Sequence, residues 1–448
     1  MSAAPVMTRD EARALVERVV RMSKADEIQV NVSGGHQTNV RFADNRISTS
    51  GGITDLSIGV YSAYGRKHAV ANTNDVSDGG LERAVRQSEA LARLAPDDPE
   101  AMPLLGPQTY RETRSYFEST AALTPQARAE PARLAIAAAK AGGALKAAGF
   151  VAAGAGMESI GNSRGLFAYQ PSTSVNYTLT VRTADGTGSG WAGADHPDWS
   201  QIDFKAVADT AIGKARRSRN PQPIAPGRYT VILEPQAVGD LVQRMTNALN
   251  ARTADEGRSA FAKRGGGTRI GERIVDERVS LFSDPGDPQL LSAPFDEQGL
   301  PLVRQTWVEN GVLKALVYSR FWANKQGREP TGSASALKLT GGDASVDDMI
   351  RSTPRGILVT RFWYIRPVDP RTLLLTGLTR DGTFLIEDGK ISKPVQNLRF
   401  NESPLFMLNN VEMIGRPVRI AGTESGGNVV LPPLKVREFN FTSVSEAV

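Results

Sequence analysis

Two stretches of this 448-residue chain pass through the same order of features: a turn, a strand, a second turn, a second strand and a helix. In residues 27–95 the chain turns at Asp44-Asn45-Arg46, runs ITDLSIGVYSA to Tyr64-Gly65, runs KHAVANT, and enters a helix over Ser77 to Ala95 with Leu81, Ala84, Val85, Ser88 and Leu91 on one face. In residues 150–217 it turns at Asn162-Ser163-Arg164, runs VNYTLTVRT to Asp185-Gly186, runs GSGWAGA, and enters a helix near 201–217. Few identities accompany the match, yet order and spacing agree. A unit repeated in this way predicts one topology used twice, each copy a small sheet followed by a helix.

The remaining segments extend this pattern. EIQVNV and TNVRF read as short strands, punctuated like their neighbours by Gly-Gly and Asp-Asn turns. Thr8 followed by Glu11 is a capping-box signature for an N-terminal helix, and an Ala-rich helix is expected over about 126–148 after a Pro-containing linker. Asn220 to Gly227, with three prolines, reads as a boundary. Beyond it lie β-runs such as GILVTRFWYI, GTFLIEDGKIS and PLKVREFNF, with hairpin turns at Glu309-Asn310-Gly311 and Glu387-Asp388-Gly389. The fold class is therefore α+β: an N-terminal α/β region with a duplicated sheet-plus-helix unit, then a large β-rich C-terminal domain.

Composition narrows the chemistry. The chain has no cysteine, which excludes disulfides, thiolate nucleophiles and every Cys-ligated metal site. Its net charge of +5 is small for its length and disfavours a dedicated nucleic-acid binder. No apolar run reaches the roughly eighteen residues of a membrane-spanning helix. The N-terminus lacks the basic start and apolar block of a secretory leader, so a cytoplasmic location is expected.

Several motifs have a structural reading that outweighs the functional one. Gly188 to Gly193 matches G-x-G-x-x-G, but it sits inside a β-run rather than between a strand and an immediate helix, so a glycine-rich strand is expected. Gly265-Gly266-Gly267 lacks the Lys-Ser/Thr of a phosphate loop. His36 follows Gly34-Gly35 in an expected turn, His68 lies in a strand beside Lys67, and His196 lies in a turn before a helix. No G-x-S-x-G elbow accompanies them. The basic run Lys214 to Arg219 ends a helix, where cations favour the dipole, and Ser345-Val-Asp-Asp348 reads as a helix cap.

VILEPQAVGDLVQRMTNAL, residues 231–249, is a β-branched strand broken by Glu234-Pro235 and followed by an amphipathic helix, with Val238, Leu241, Val242, Met245, Ala248 and Leu249 on one face. Its polar residues include no nucleophile–base pair and no metal-ligand set. Together with VRFADNRI, LSIGVYSAYGRKHAVANT, PFDEQGLPLVRQTWVENGVLKALVYSRFWANKQGREPTG, RGILVTRF and TGLTRDGTFLIEDGKISKPVQNLRFNESPLFMLNNVEMIG, it makes the chain resemble the TldD/PmbA family, named for modulators of DNA gyrase and for metallopeptidases. The resemblance runs from about residue 27 to the end and divides the chain into an N-terminal α/β domain (1–110), a central domain (111–222) and a β-rich C-terminal domain (223–448).

The resemblance implies a two-subunit system. The TldD-type subunit carries an H-E-x-x-x-H helix whose histidines, with a later cysteine, hold zinc, while its glutamate acts on the bound water. The PmbA-type subunit, also called TldE, shares the fold and lacks the zinc set. Together they cleave small or unfolded peptides. Aligned this way, Gln243 and Ala248 stand at the histidine positions and Arg244 at the glutamate position. With no histidine after His196 and no cysteine, no zinc site of that kind can be assembled, and no cofactor is expected. Arg380-Asp381 also departs from the small residues common in the family. The resulting reading is a non-catalytic PmbA/TldE-type subunit of a metallopeptidase complex, whose partners are a zinc-bearing TldD-type homologue, or a second copy of itself, and a peptide substrate. An autonomous hydrolase of the same family and a gyrase- or nucleic-acid-binding regulator are the alternatives. The sequence leaves open whether the chain has enzymatic activity of its own.

Overall fold

The computed structural model describes residues 6–334, 336–422 and 427–445. Its first part is built twice on one plan. Helix α1 (Arg9–Met22) precedes strands β1 (Glu27–Ala43), β2 (Arg46–Tyr64) and β3 (Lys67–Thr73) and helix α2 (Asp78–Leu94). After the short α3 (Glu118–Ala121), helix α4 (Pro125–Ala141) precedes β4 (Leu145–Asn162), β5 (Phe167–Thr183), β6 (Ser189–Asp195) and α5 (Phe204–Arg217). The duplication read from the sequence is present, and each copy also owns a leading helix that the pattern did not assign to it. Both copies share one six-stranded sheet, ordered β3-β2-β1-β4-β5-β6, with β1 and β4 antiparallel at its centre. Each keeps its own helix-on-sheet core. Leu15, Val19, Val30, Ile58, Leu81 and Val85 form the first, while Ala135, Ala139, Tyr177, Leu179, Ala211 and Ile212 belong to the second. The Thr8–Glu11 capping box is formed.

Three expectations are corrected. Gly34-Gly35 and Gly51-Gly52 are not turns: β1 and β2 run straight through them as strands of 17 and 19 residues, which places His36 within β1. The physical reason is crowding across strands. A Cβ on Gly34 would lie 2.8 Å from Leu56 Cδ1, and one on Gly156 would lie 2.7 Å from the Gly34 carbonyl oxygen. Glycine serves close approach here rather than a reversal. The reversal occurs at Asp44 and Asn45, both left-handed at φ 52° and 60°. Finally, the Ala-rich helix stops at Ala141, because Gly142-Gly143 breaks it and Leu145 already begins β4.

The C-terminal part is β-rich as expected. Strand β7 (Gly227–Leu233) leads into α6 (Pro235–Asn247). A smaller six-stranded sheet contains β8 (Leu281–Ser283), β9 (Gln305–Glu309), β10 (Val312–Leu313), β11 (Leu337–Leu339), β17 (Val418–Arg419) and β18 (Val429–Leu431). The larger one contains β7, β12 (Arg355–Asp369), β13 (Leu374–Glu387), β14 (Lys390–Pro394), β15 (Leu398–Glu402), β16 (Val411–Ile414) and β19 (Leu434–Val444). Because β12 pairs with both β7 and β13, the order β12-β7-β19-β15-β13 closes on itself as a small barrel. Phe362, Phe400 and Phe439 meet in its core, with the Phe362 and Phe400 centroids 4.6 Å apart. The two hairpins predicted at Asn310-Gly311 and Asp388-Gly389 join β9 to β10 and β13 to β14.

Candidate functional site

Helix α6 carries three buried polar side chains, Gln236, Asp240 and Thr246. Strand β7 delivers it from the barrel wall, with Val231, Ile232 and Leu233 fully buried, and Pro235 starts it at a position where a missing N–H costs nothing. Ala237, Val238, Leu241, Val242 and Met245 fix the helix in a core shared by the barrel and the smaller sheet. Between these apolar residues, Gln236 and the fully buried Asp240 form a polar seam. Gln236 Nε2 donates to Asp240 Oδ1 at 2.9 Å, the Phe362 N–H donates to Asp240 Oδ2 at 2.9 Å, and the Gly422 N–H donates to Gln236 Oε1 at 2.8 Å. The seam ties α6 to β12 and to the segment after β17.

A second tie crosses between the duplicated sheet and the barrel. Lys214 Nζ of α5 lies 2.5 Å from Glu234 Oε2, with the two side chains 7% and 19% exposed. Nearby, Arg419 pairs with Asp195 at 2.8 Å. Burial pushes the Asp195 carboxyl above the usual carboxylate range, and Arg419 opposes that push. Lys214, Glu234 and Arg419 rim a cleft of about 260 Å³ beside the start of α6, together with Trp191, Pro235 and Ile420.

The residues aligned with the zinc motif lie at the other end of α6. Gln243 and Arg244 are half-buried in its last turns, and both are engaged in polar contacts; Ala248 is the C-cap, one residue beyond the last helical position. An amide, a guanidinium and a methyl do not fit zinc, which takes thiolate, imidazole or carboxylate donors. The histidines are engaged elsewhere. His36 Nδ1 lies 2.9 Å from Thr54 Oγ1, His68 Nε2 lies 2.9 Å from Asp98 Oδ2, and His196 Nδ1 accepts from the Asp198 N–H. Among the described residues no three His, Cys, Asp or Glu side chains gather as a metal cluster.

Other motifs take the structural role expected of them. Gly188, Gly190 and Gly193 lie at and within β6. A Cβ on Gly190 would sit 2.3 Å from the Ala211 carbonyl oxygen and one on Gly188 2.4 Å from that of Ala215, so these two let α5 lie tight on the strand, while Gly193 makes room for Ala421. Gly265 to Gly267 form an open loop with positive φ. Ser345 caps a short helix with Asp348. Of the cations in the basic run only Lys214 is buried, against Glu234; Arg216, which donates to the Gly142 carbonyl, and Arg219, which pairs with Asp185, stay exposed.

Arg380-Asp381 proves to be more than a loop. Asp381 is buried on β13 in a left-handed conformation. Arg361 Nε donates to it at 2.9 Å, and Ser189 Oγ of β6 donates to its other oxygen at 2.5 Å. The Arg361 guanidinium lies 5.6 Å from the Trp191 ring and 5.3 Å from the Trp363 ring. Asp381 lines a cleft of about 400 Å³ with Asp185, Ser189, Ser218 and Asn397. Sequence reasoning missed Asp240, Glu234, Arg361 and Ser189. Asp240 alone had a local signal, as a carboxylate set within an apolar helical stripe.

Comparison with known proteins covers most of the chain. Three family models match: PmbA/TldA metallopeptidase domain 1 over residues 29–92, the central domain over 118–219 and the C-terminal domain over 226–443. A metalloprotease of Methanothermobacter thermautotrophicus is 26% identical over 58% of this chain and 60% of its own length, so the match spans about three fifths of that relative. The metalloprotease PmbA of Escherichia coli O157:H7 is 21% identical over 93% of this chain and 91% of its own. The crystal structure of TldE from Thermococcus kodakarensis has the same fold, with a TM-score of 0.84 at 19% identity, covering 96% of this chain and 99% of that one.

Proposed function

Because the chain belongs to the PmbA/TldD metallopeptidase family, we propose that it is a PmbA-type subunit, one that handles peptides together with a zinc-bearing homologue and carries no zinc chemistry of its own. The observation that carries this reading is the side-chain set on α6: Gln243, Arg244 and Ala248, in a chain without cysteine whose histidines all belong to the duplicated region. Arg244 also places a cation where a dication would sit, and like charges repel. The subunit's part is to complete a chamber around the peptide and to meet its backbone by strand addition. A regulator that binds nucleic acid has less support, since the net charge is small and the basic run that suggested it has Lys214 buried against Glu234 and Arg219 paired with Asp185. None of the described helices is long and apolar enough to cross a membrane.

Metal analysis of the purified chain should find far less than one zinc per chain. Peptide cleavage should appear only when a zinc-bearing TldD-type homologue from the same genome is added, and should exceed that of the homologue alone. Stoichiometric zinc with chelator-sensitive cleavage by this chain alone would overturn the reading. A homologue equally active with and without it would remove the subunit role.

A further inference from the structure

A cleft of about 880 Å³ opens where three parts of the chain meet over β5: the start of α1, the linker residues 107–113, and Pro294-Phe295 of the C-terminal part. Its linker wall is held in place from two sides. Tyr110 Oη donates to the Gly299 carbonyl at 2.7 Å, and the Tyr110 ring meets Phe295 edge-on with centroids 5.4 Å apart. Gln170, buried in the floor, donates to Ser115 Oγ at 2.5 Å and accepts from Thr113 Oγ1 at 3.1 Å. The cleft is therefore preformed.

Its charge is one-sided. Arg9 and Arg13, four residues apart on α1, lie over the Phe167 ring with Cζ 5.7 and 4.1 Å from the centroid. Both are exposed, and neither makes an ion pair among the described residues. Arg111 stands 3.8 Å from Asp284, a carboxylate that Arg304 also approaches, at 3.5 Å. Glu112 is the one carboxylate among the described residues that line the cleft, so three guanidiniums face one negative charge there. This arrangement is unfavourable for α1 itself. Cations in a first turn oppose the helix dipole, and like charges four residues apart repel. The fold does not require them, because the matching positions of α4 in the second copy are Pro125 and Ala129.

We propose that this cleft binds a small phosphorylated molecule, with its phosphate oxygens held by Arg9, Arg13 and Arg111. Guanidinium forks match pairs of phosphate oxygens, and the excess of positive charge suits a group that carries two or more negative charges. The side chains do this work rather than the helix end, which the Thr8–Glu11 capping box already occupies. The space is far larger than one phosphate fills and lies in the range of small-molecule sites. The ligand therefore carries a second phosphate, or an organic part that rests on Tyr110 and Phe295. A peptide strand fits less well. Pro171 of the floor has no N–H, its carbonyl already accepts from Ser115 Oγ and Gln170 Nε2, and the Thr173 N–H beyond it donates to the Ser115 carbonyl.

This proposal does not depend on the zinc reading, and its test measures neither metal nor peptide cleavage. Calorimetric titration of the full chain with inorganic pyrophosphate and with ADP should show saturable binding of both, weakening as salt is raised. Arg9→Gln and Arg13→Gln keep helix-forming side chains. Each should weaken binding of both probes by about tenfold or more, with circular dichroism and melting temperature unchanged. Arg133→Gln, which removes an exposed cation from α4, should leave binding as it was. Tighter binding of ADP than of pyrophosphate assigns the organic part to a nucleoside; equal or weaker binding assigns the site to phosphates alone. No saturable binding of either probe at millimolar concentration overturns the proposal. So does binding that both α1 variants retain, or an acidic peptide that displaces pyrophosphate and binds more tightly than either probe.

Discussion

The two copies of the duplicated unit are built alike and used differently. The second is keyed into the C-terminal part by side chains from three of its elements: Asn176 of β5 donates to the Ala421 carbonyl, Ser189 and Asp195 of β6 reach Asp381 and Arg419, and Lys214 of α5 reaches Glu234. The first touches the C-terminal part more lightly, through the Gln29 and Asn31 amides at the Glu297 carbonyl, and leaves a strand edge bare. Equal topology therefore does not mean equal role. The repeated local pattern sets the plan of each copy, and what comes to lie on its edges sets what that copy does.

The largest test of this contrast removes the ammonium that locks the second copy. Lys214→Met leaves Glu234 largely buried without its partner, and breaking such a pair costs about 3–5 kcal/mol, read as a lower urea midpoint. In the first copy, Arg83→Ala removes a pair with Asp75 in which both side chains are well exposed, at 74% and 41%. That loss should stay below about 1 kcal/mol. Equal losses at the two positions would erase the distinction between a keyed copy and a loosely held one.

A smaller effect of opposite sign in the two copies sharpens it. Gly190→Ala drives a methyl to 2.3 Å from the Ala211 carbonyl oxygen and should lift α5 off β6, at a cost of about 1–3 kcal/mol. Gly79→Ala, on the exposed face of α2, meets only the end of Arg83 at 3.4 Å. It should stabilise the chain by about 0.4–1 kcal/mol by narrowing the unfolded ensemble. Thermal midpoints moving in the same direction would mean that the close contact at β6 is not a constraint.

What was legible in the sequence was local. Alternation, turn residues and caps placed the strands, the hairpins at Asn310-Gly311 and Asp388-Gly389, and the Thr8 cap, because each depends on neighbours a few residues away. Gly34-Gly35 was misread because a close approach to Gly156 and a turn look the same in one dimension. Barrel closure was out of reach, since it rests on β12 meeting β7 more than a hundred residues upstream. The same division runs through the site. The unsuitability of Gln243, Arg244 and Ala248 as zinc ligands is a matter of residue type and could be read directly. Lys214 read as a cation at a helix end, because nothing in its neighbourhood announces that Glu234 will fold over it. Asp240 is bonded to a backbone N–H 122 residues away, which no local window shows.

The finest comparison lies at the start of each copy. Thr8 and Thr124 both cap their leading helices by accepting a backbone N–H, from Glu11 and Ala127 respectively. Replacing either with Ala should cost about 1 kcal/mol at neutral pH. The two caps differ in one group. In α1 the third helical residue is Glu11, whose carboxylate accepts from the Thr8 N–H and hydroxyl, both at 2.7 Å; in α4 it is Ala127, which cannot ionise. The bond from the Thr8 backbone, then that from its side chain, holds the Glu11 carboxyl below the usual carboxylate range. A carboxyl with a depressed folded pKa contributes stability above its unfolded value and loses it as pH falls through the folded one. The Thr8→Ala deficit should therefore shrink as the pH drops below about 4, while the Thr124→Ala deficit stays level. Denaturation midpoints of the two variants against the parent, taken across that range, decide the matter. Parallel deficits would show that the capping box in the first copy adds nothing to the single cap in the second.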